Sequence, residues 1–207
     1  LVLGLVIFSG AAYAAWRMFE VVQTRVDIWL DPWSQYEGKG YQPAQAMFAF
    51  ANGGTAGTGL GLGNPSKIPA ASTDYVFAAI GEEMGLIGAT AVIIAFLLLL
   101  GAGLRVAVRA DRPFEKLLAT GLTTIISMQA FIIIGGVLRL VPLTGITLPF
   151  VSYGGSSLLA NYILLALLLR ISDSGARRRG ETPDELTISE RMEARRLRRA
   201  ERKAARA

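Results

Sequence analysis

The sequence contains no cysteine and no histidine, and only 18% of its 207 residues are charged. Without Cys there is no disulfide framework, no thiolate nucleophile and no Cys-ligated metal. Without His there is no Ser-His-Asp triad, no imidazole general base and no HExxH zinc site. Any acid–base chemistry must run on Asp, Glu, Lys or Tyr. Charge is also missing locally: residues 84–104 are 21 positions without a charge, 117–138 another 22, and 140–169 another 30, the last interrupted by Pro142 and Pro149. What is plentiful is apolar side chain, 52% of the chain, with a mean hydropathy of +0.43.

Each uncharged run is long enough to cross the roughly 30 Å hydrocarbon core as a helix. Residues 1–16 form a fourth apolar run that starts at residue 1 without Met, basic flank or cleavage site. It reads as a transmembrane helix lacking its beginning, not as a signal peptide, and the chain is expected to be a fragment. The expected fold is all-α, a polytopic transmembrane bundle with helices at about 1–19, 76–104, 114–139 and 151–171, a long outer loop over 20–73 and a basic tail over 172–207. The net charge of +5 divides unevenly: the tail has 11 Lys/Arg against 7 Asp/Glu, a net of +4, leaving +1 for residues 1–171. Arg105, Arg109, Arg112 and Lys116 lie between the second and third helices. The positive-inside rule places that connection and the tail in the cytoplasm, and the 20–73 connection and the 141–151 region outside. From Pro183 the tail reads as a solvated helix held near anionic lipid. No groove-reading module is present, so nucleic-acid binding is excluded.

The outer connection carries RVDIWLDPW (25–33), with Trp29 and Trp33 suited to an interfacial belt. YQPAQAMFAFA (41–51) reads as a short amphipathic helix, and GGTAGTGLGLG (53–63) follows. The glycines lack the Lys-Ser/Thr of a P-loop and do not fit a G-x-G-x-x-G phase, so they read as turns or close backbone packing. Asp74 follows Thr73 at the outer start of a membrane helix. Spacing leaves two roles open: a dipole-complementing acid beside a Ser72 or Thr73 cap, or a partly desolvated general base. Glu82 and Glu83 lie two turns deeper, where an acid facing lipid is costly, so at least one should face the bundle interior; structural pairing and catalysis are equally open. LVPLTGITLPFVSYGGSS (140–157) interrupts an apolar run with prolines, glycines and hydroxyls, as tolerated only where backbone is buried in protein or lines a cavity. Ser156 and Ser157 then open the last helix, either for close packing or turned toward an anion.

RVDIWLDPW, YQPAQAMFAFANGG, GLGLG, STDYVFAAIGEEMGLIG and above all PLTGITLPFVSYGGSSLLANY resemble the SEDS family (shape, elongation, division and sporulation; RodA, FtsW and SpoVE), over about residues 1–172. Members have about ten transmembrane helices, so the resemblance implies roughly the last four. It implies polymerisation of lipid II into undecaprenyl-linked glycan strands at the outer face of the bacterial plasma membrane, beside a class B penicillin-binding protein. The family's essential acid falls on Asp74 within Thr73-Asp74-Tyr75-Val76-Phe77. The resemblance further implies that Tyr41, Gln42 and Gln45 shape the site. Arg25, Lys39 and Lys67, the basic residues of the outer connection, are candidates to meet the leaving pyrophosphate, alone or with a divalent cation such as Mg or Mn, with a solvated surface charge the equally open reading for each; no metal ligand is assigned. Ala70 stands where many members have Glu, which, with the shorter preceding loop, favours the RodA-like elongation branch and leaves any second-acid role there unsupported. A lipid II flippase and a non-catalytic membrane scaffold are the competing readings.

Overall fold

The computed structural model describes residues 2–178, and all regular structure among them is helical. The tail from 179 onward, with its expected helix after Pro183, lies outside the described residues. α1 (Val2–Met18) is followed at Phe19 by extended backbone (φ −116°, ψ 113°), and α2 (Glu20–Leu30) leaves at a 100° bend. α3 (Tyr41–Gly53), α4 (Val76–Arg109), α5 (Pro113–Val137) and α6 (Gly155–Arg178) complete the order. The stretch expected as an outer loop, 20–73, therefore contains two α-helices and two short 3-10 turns.

Three helices, α4, α5 and α6, are long and apolar enough to cross a membrane, or four spans if the bent α1–α2 pair is one. Their outward faces carry Leu86, Ile87, Leu97, Leu98, Phe114, Leu117, Phe131 and Leu169, all exposed. An apolar exterior of this kind suits lipid. Pro113 starts α5, where a missing N–H costs nothing, and a three-residue connection (110–112) folds it back along α4. Two buried clusters hold the bundle. One joins the start of α4 to the end of α5 and to α3 through Tyr75, Phe77, Ala78, Ile133, Val137 and Ala49. The other joins the opposite ends of α4 and α5 to α6 through Ala107, Ala119, Leu122, Leu168 and Ile171.

α4 is two helices joined across a kink. At Gly85 the backbone turns to φ 64°, ψ −163°, a conformation essentially confined to glycine. Each helix half leaves orphan backbone groups at the break, and the Gly-rich segment that follows α3 satisfies them. Thr58 and Gly59 donate N–H groups to the carbonyls of Glu82 and Glu83 (2.9 and 3.0 Å), while Leu86 and Ile87 donate to the carbonyls of Gly54 and Thr55 (2.9 and 3.2 Å). The Thr58 hydroxyl adds a bond to the Glu82 carbonyl at 3.1 Å. This strap crosses so closely that a side chain at Gly57 would overlap the Glu83 carbonyl oxygen. Gly53 and Gly57 thus serve close backbone packing, while Gly54 and Gly61 supply positive-φ turns.

Candidate active site

A turn before α4 delivers Asp74. The Ala70 carbonyl accepts the N–H groups of Thr73 and Tyr75 (3.1 and 3.2 Å) and the Thr73 hydroxyl (3.3 Å), wrapping the chain around one oxygen. Asp74 then projects, half-buried, into a cavity of about 290 Å³ bounded by α2, the start of α3 and the α5–α6 loop. No group among the described residues hydrogen-bonds or ion-pairs with its carboxylate, so both oxygens are available to a ligand. Tyr75, buried beside it, keeps its proton well above the usual phenol range, first because burial penalises the phenolate and then because the Asp74 charge repels it.

Cationic side chains reach the same space from three directions. Arg25, on α2, donates to the carbonyls of Leu143 and Thr144 at 3.1 and 2.6 Å. A methyl placed on Gly145 would lie 3.6 Å from Arg25 Nη2 and 3.7 Å from Asp74 Oδ2, so carboxylate and guanidinium flank that glycine. Lys39, exposed, lines the rim next to Gln42. Arg139 closes the side formed by the end of α5. Its Nη2 donates to the carbonyls of Trp29 and Leu30 at 2.6 and 3.1 Å, its own carbonyl accepts the Trp29 indole N–H at 2.8 Å, and its Nε is buried without a partner. Its backbone is left-handed, φ 61°. The cavity lining therefore sets three cations against one carboxylate, an excess of positive charge.

Of the residues singled out in the sequence, Asp74, Arg25, Lys39 and Gln42 converge here. Tyr41 and Gln45 stand one step back: Gln45 Nε2 donates to the Tyr36 hydroxyl at 3.2 Å, and the Tyr36 ring packs 5.6 Å from that of Tyr41. Lys67 is exposed on a 3-10 turn and does not line the cavity. Ser157 accepts bonds from the Thr147 hydroxyl (2.6 Å) and Asn161 (3.3 Å), a joint between the α5–α6 loop and α6, while Ser156 is exposed on the first turn of α6. Glu82 is 5% exposed with Oε2 unpartnered, facing the strap at Gly63, and neither it nor Glu83 lines the cavity. Arg139 is the functional candidate that the motifs did not bring forward. It is the lone charge between Lys116 and Arg170, and a charge isolated inside membrane-depth sequence is itself a signal.

The FtsW/RodA/SpoVE cell cycle protein family matches residues 1–177. The chain is 54% identical over 177 residues to the peptidoglycan glycosyltransferase RodA of Mycobacterium tuberculosis, covering 86% of this chain and 38% of that protein. It is 49% identical over 173 residues to RodA of Mycobacterium leprae, covering 84% and 37% respectively. It is 42% identical over 150 residues to a probable peptidoglycan glycosyltransferase FtsW of Geobacter metallireducens, covering 72% and 40%. The chain thus spans about two fifths of these relatives' length. A solved chain, from work on the structural coordination of polymerization and crosslinking by a peptidoglycan synthase complex, superposes with a TM-score of 0.69 at 28% identity, over 84% of this chain and 49% of that one. With the match running through every described helix, the chain belongs to the FtsW/RodA/SpoVE family.

Proposed function

We propose that this chain carries the reaction centre of an inverting glycosyltransferase that polymerises lipid II into peptidoglycan strands, in the elongation branch of the family. The observation that carries it is the unpartnered Asp74 carboxylate set among Arg25, Lys39 and Arg139. Asp74 accepts the proton of the acceptor GlcNAc 4-hydroxyl as its oxygen attacks the donor's anomeric carbon from the face opposite the leaving group. The new C–O bond forms as the bond to pyrophosphate breaks; the electron pair departs with undecaprenyl pyrophosphate, and the α-linkage becomes β. Pyrophosphate is already a good leaving group, so the protein's share is positioning and charge stabilisation.

That stabilisation is assigned to the three cations. Among the described residues no group of three or more His, Cys, Asp or Glu side chains is placed to hold a metal. One carboxylate beside three cations is a poor donor set for Mg or Mn. The cavity is placed at the outer face and the C-terminus in the cytoplasm, following the basic connection between α4 and α5. The similarity to a chain from a complex that coordinates polymerization and crosslinking supports a cross-linking partner, and the family resemblance makes a class B penicillin-binding protein the one taken here.

A transporter would draw on Glu82 and the broken α4, since broken helices frame many transport sites. The strap fills that break and uses its backbone groups, which favours polymerisation over transport. The test is the full-length protein with its partner, given lipid II. Asp74→Asn is expected to yield no polymer, and polymer at the wild-type rate would refute the assignment. A wild type that moves lipid II across vesicles without polymerising it would replace the enzyme reading with transport.

A further inference from the structure

We propose that Ser152 is the positioning residue for Asp74, pinning the backbone that carries the carboxylate to the α5–α6 loop. The inference rests on Asp74 being the base. An ion pair to Arg25 would stabilise the charged carboxylate and make it a weaker base. Asp74 has no such partner among the described residues, which leaves its placement to the main chain. Two consecutive carbonyls just before it are held from the α5–α6 loop, far away in sequence. The Ser152 hydroxyl donates to the Thr73 carbonyl at 2.6 Å, and the Tyr153 N–H donates to the Ser72 carbonyl at 2.8 Å. Ser152 Oγ also accepts the Leu148 N–H at 2.8 Å, and the residue is 1% exposed. Its hydroxyl proton is thus committed to the Thr73 carbonyl and the side chain is sealed from substrate, which argues against a nucleophilic role.

The same loop holds the guanidinium. Arg25 is bonded to the Leu143 and Thr144 carbonyls, and Gly145 (φ 73°) leaves the gap that carboxylate and guanidinium face. Loop 143–153 therefore sets the spacing of acid and cation without letting them pair. This explains why a serine is needed inside an apolar segment. Ala would leave the Thr73 carbonyl and Leu148 N–H without partners and the acid's turn free to shift, and small misplacements of a reacting group cost up to about 100-fold in rate.

The experiment uses the full-length protein with its partner and measures initial polymerisation rates against lipid II concentration. Ser152→Ala is expected to lower kcat about 10- to 100-fold with KM changed less than about threefold, and Ser152→Thr to restore most of it. Wild-type kcat in Ser152→Ala, or a loss confined to KM, would overturn the proposal. If Ser152→Ala does not assemble with the partner, Ser152→Thr and Ser152→Cys decide: the full hydroxyl should give the higher kcat, and equal values overturn it. An active Asp74→Asn sinks the function reading itself, whereas an inactive Asp74→Asn with a fully active Ser152→Ala sinks the positioning role alone.

Discussion

Replacing Gly85 by Ala should unseat the strap from the break in α4. Two costs combine. At φ 64°, ψ −163° a side chain is strained by about 1–3 kcal/mol. The added methyl would also overlap the Gly57 amide nitrogen and lie 2.6 Å from the Thr55 carbonyl oxygen. Both obstacles are backbone and cannot rotate aside, so the strap must move. Movement breaks the Leu86–Gly54 and Ile87–Thr55 hydrogen bonds, each worth about 1 kcal/mol net and more if a partner is left buried and unpaired. The expected loss is about 3–6 kcal/mol. Gly61→Ala is the internal control: its φ is also positive, at 73°, but nothing lies within 4 Å of the new methyl. It should cost only the left-handed penalty, about 1–2 kcal/mol. Thermal unfolding of the detergent-solubilised full-length protein reads the difference, and limited proteolysis should show new cleavage between residues 54 and 63 in Gly85→Ala alone. Equal melting midpoints for the two variants would refute the threaded strap.

Burial and the neighbouring Asp74 charge raise the Tyr75 phenol, so between about pH 10 and its native value the unfolded chain has lost a proton that the folded chain keeps. Stability should therefore decline as pH rises through that window, by about 1.4 kcal/mol per unit from this group; Tyr75→Phe should flatten the decline, and an unchanged alkaline profile would contradict the assigned burial. Lys39 lines the cavity whereas Lys67 does not. Lys39→Ala should lower kcat/KM for lipid II about tenfold or more, as expected for a lost charge-assisted bond to phosphate, while Lys67→Ala stays within about twofold. Comparable losses in the two would misplace the pyrophosphate.

The helices that cross the bundle were legible because hydropathy is a property of side chains, and α4, α5 and α6 occupy the uncharged runs. Asp74 was legible because a Thr-Asp pair before an apolar run marks a helix entrance, and the family motif sharpened its role. The break at Gly85 was not. A glycine in an apolar stretch scores as helix, and what opens the helix is a set of backbone bonds from a strap about 30 residues earlier. The bend after Met18 was hidden for a similar reason: Phe19 is apolar and continues the hydrophobic pattern, yet its backbone is extended. Hydropathy says where a segment resides and is nearly silent on where its main chain turns.

Arg139 shows how the missing half of the site depends on such turns. A left-handed conformation costs a residue with a Cβ about 1–2 kcal/mol, so an Arg there needs compensation. It receives it from both directions across one joint: its guanidinium holds the last carbonyls of α2, and its carbonyl holds the Trp29 indole. That reciprocal grip fixes the helix bearing Arg25 against the end of α5. Arg25 in turn grips the loop that pins the backbone before Asp74. The acid and its cations come from segments far apart in sequence and are registered mainly by backbone carbonyls. Residue spacing can nominate each of them singly, but only the turns at Phe19, Arg139 and Gly145 bring them to one cavity.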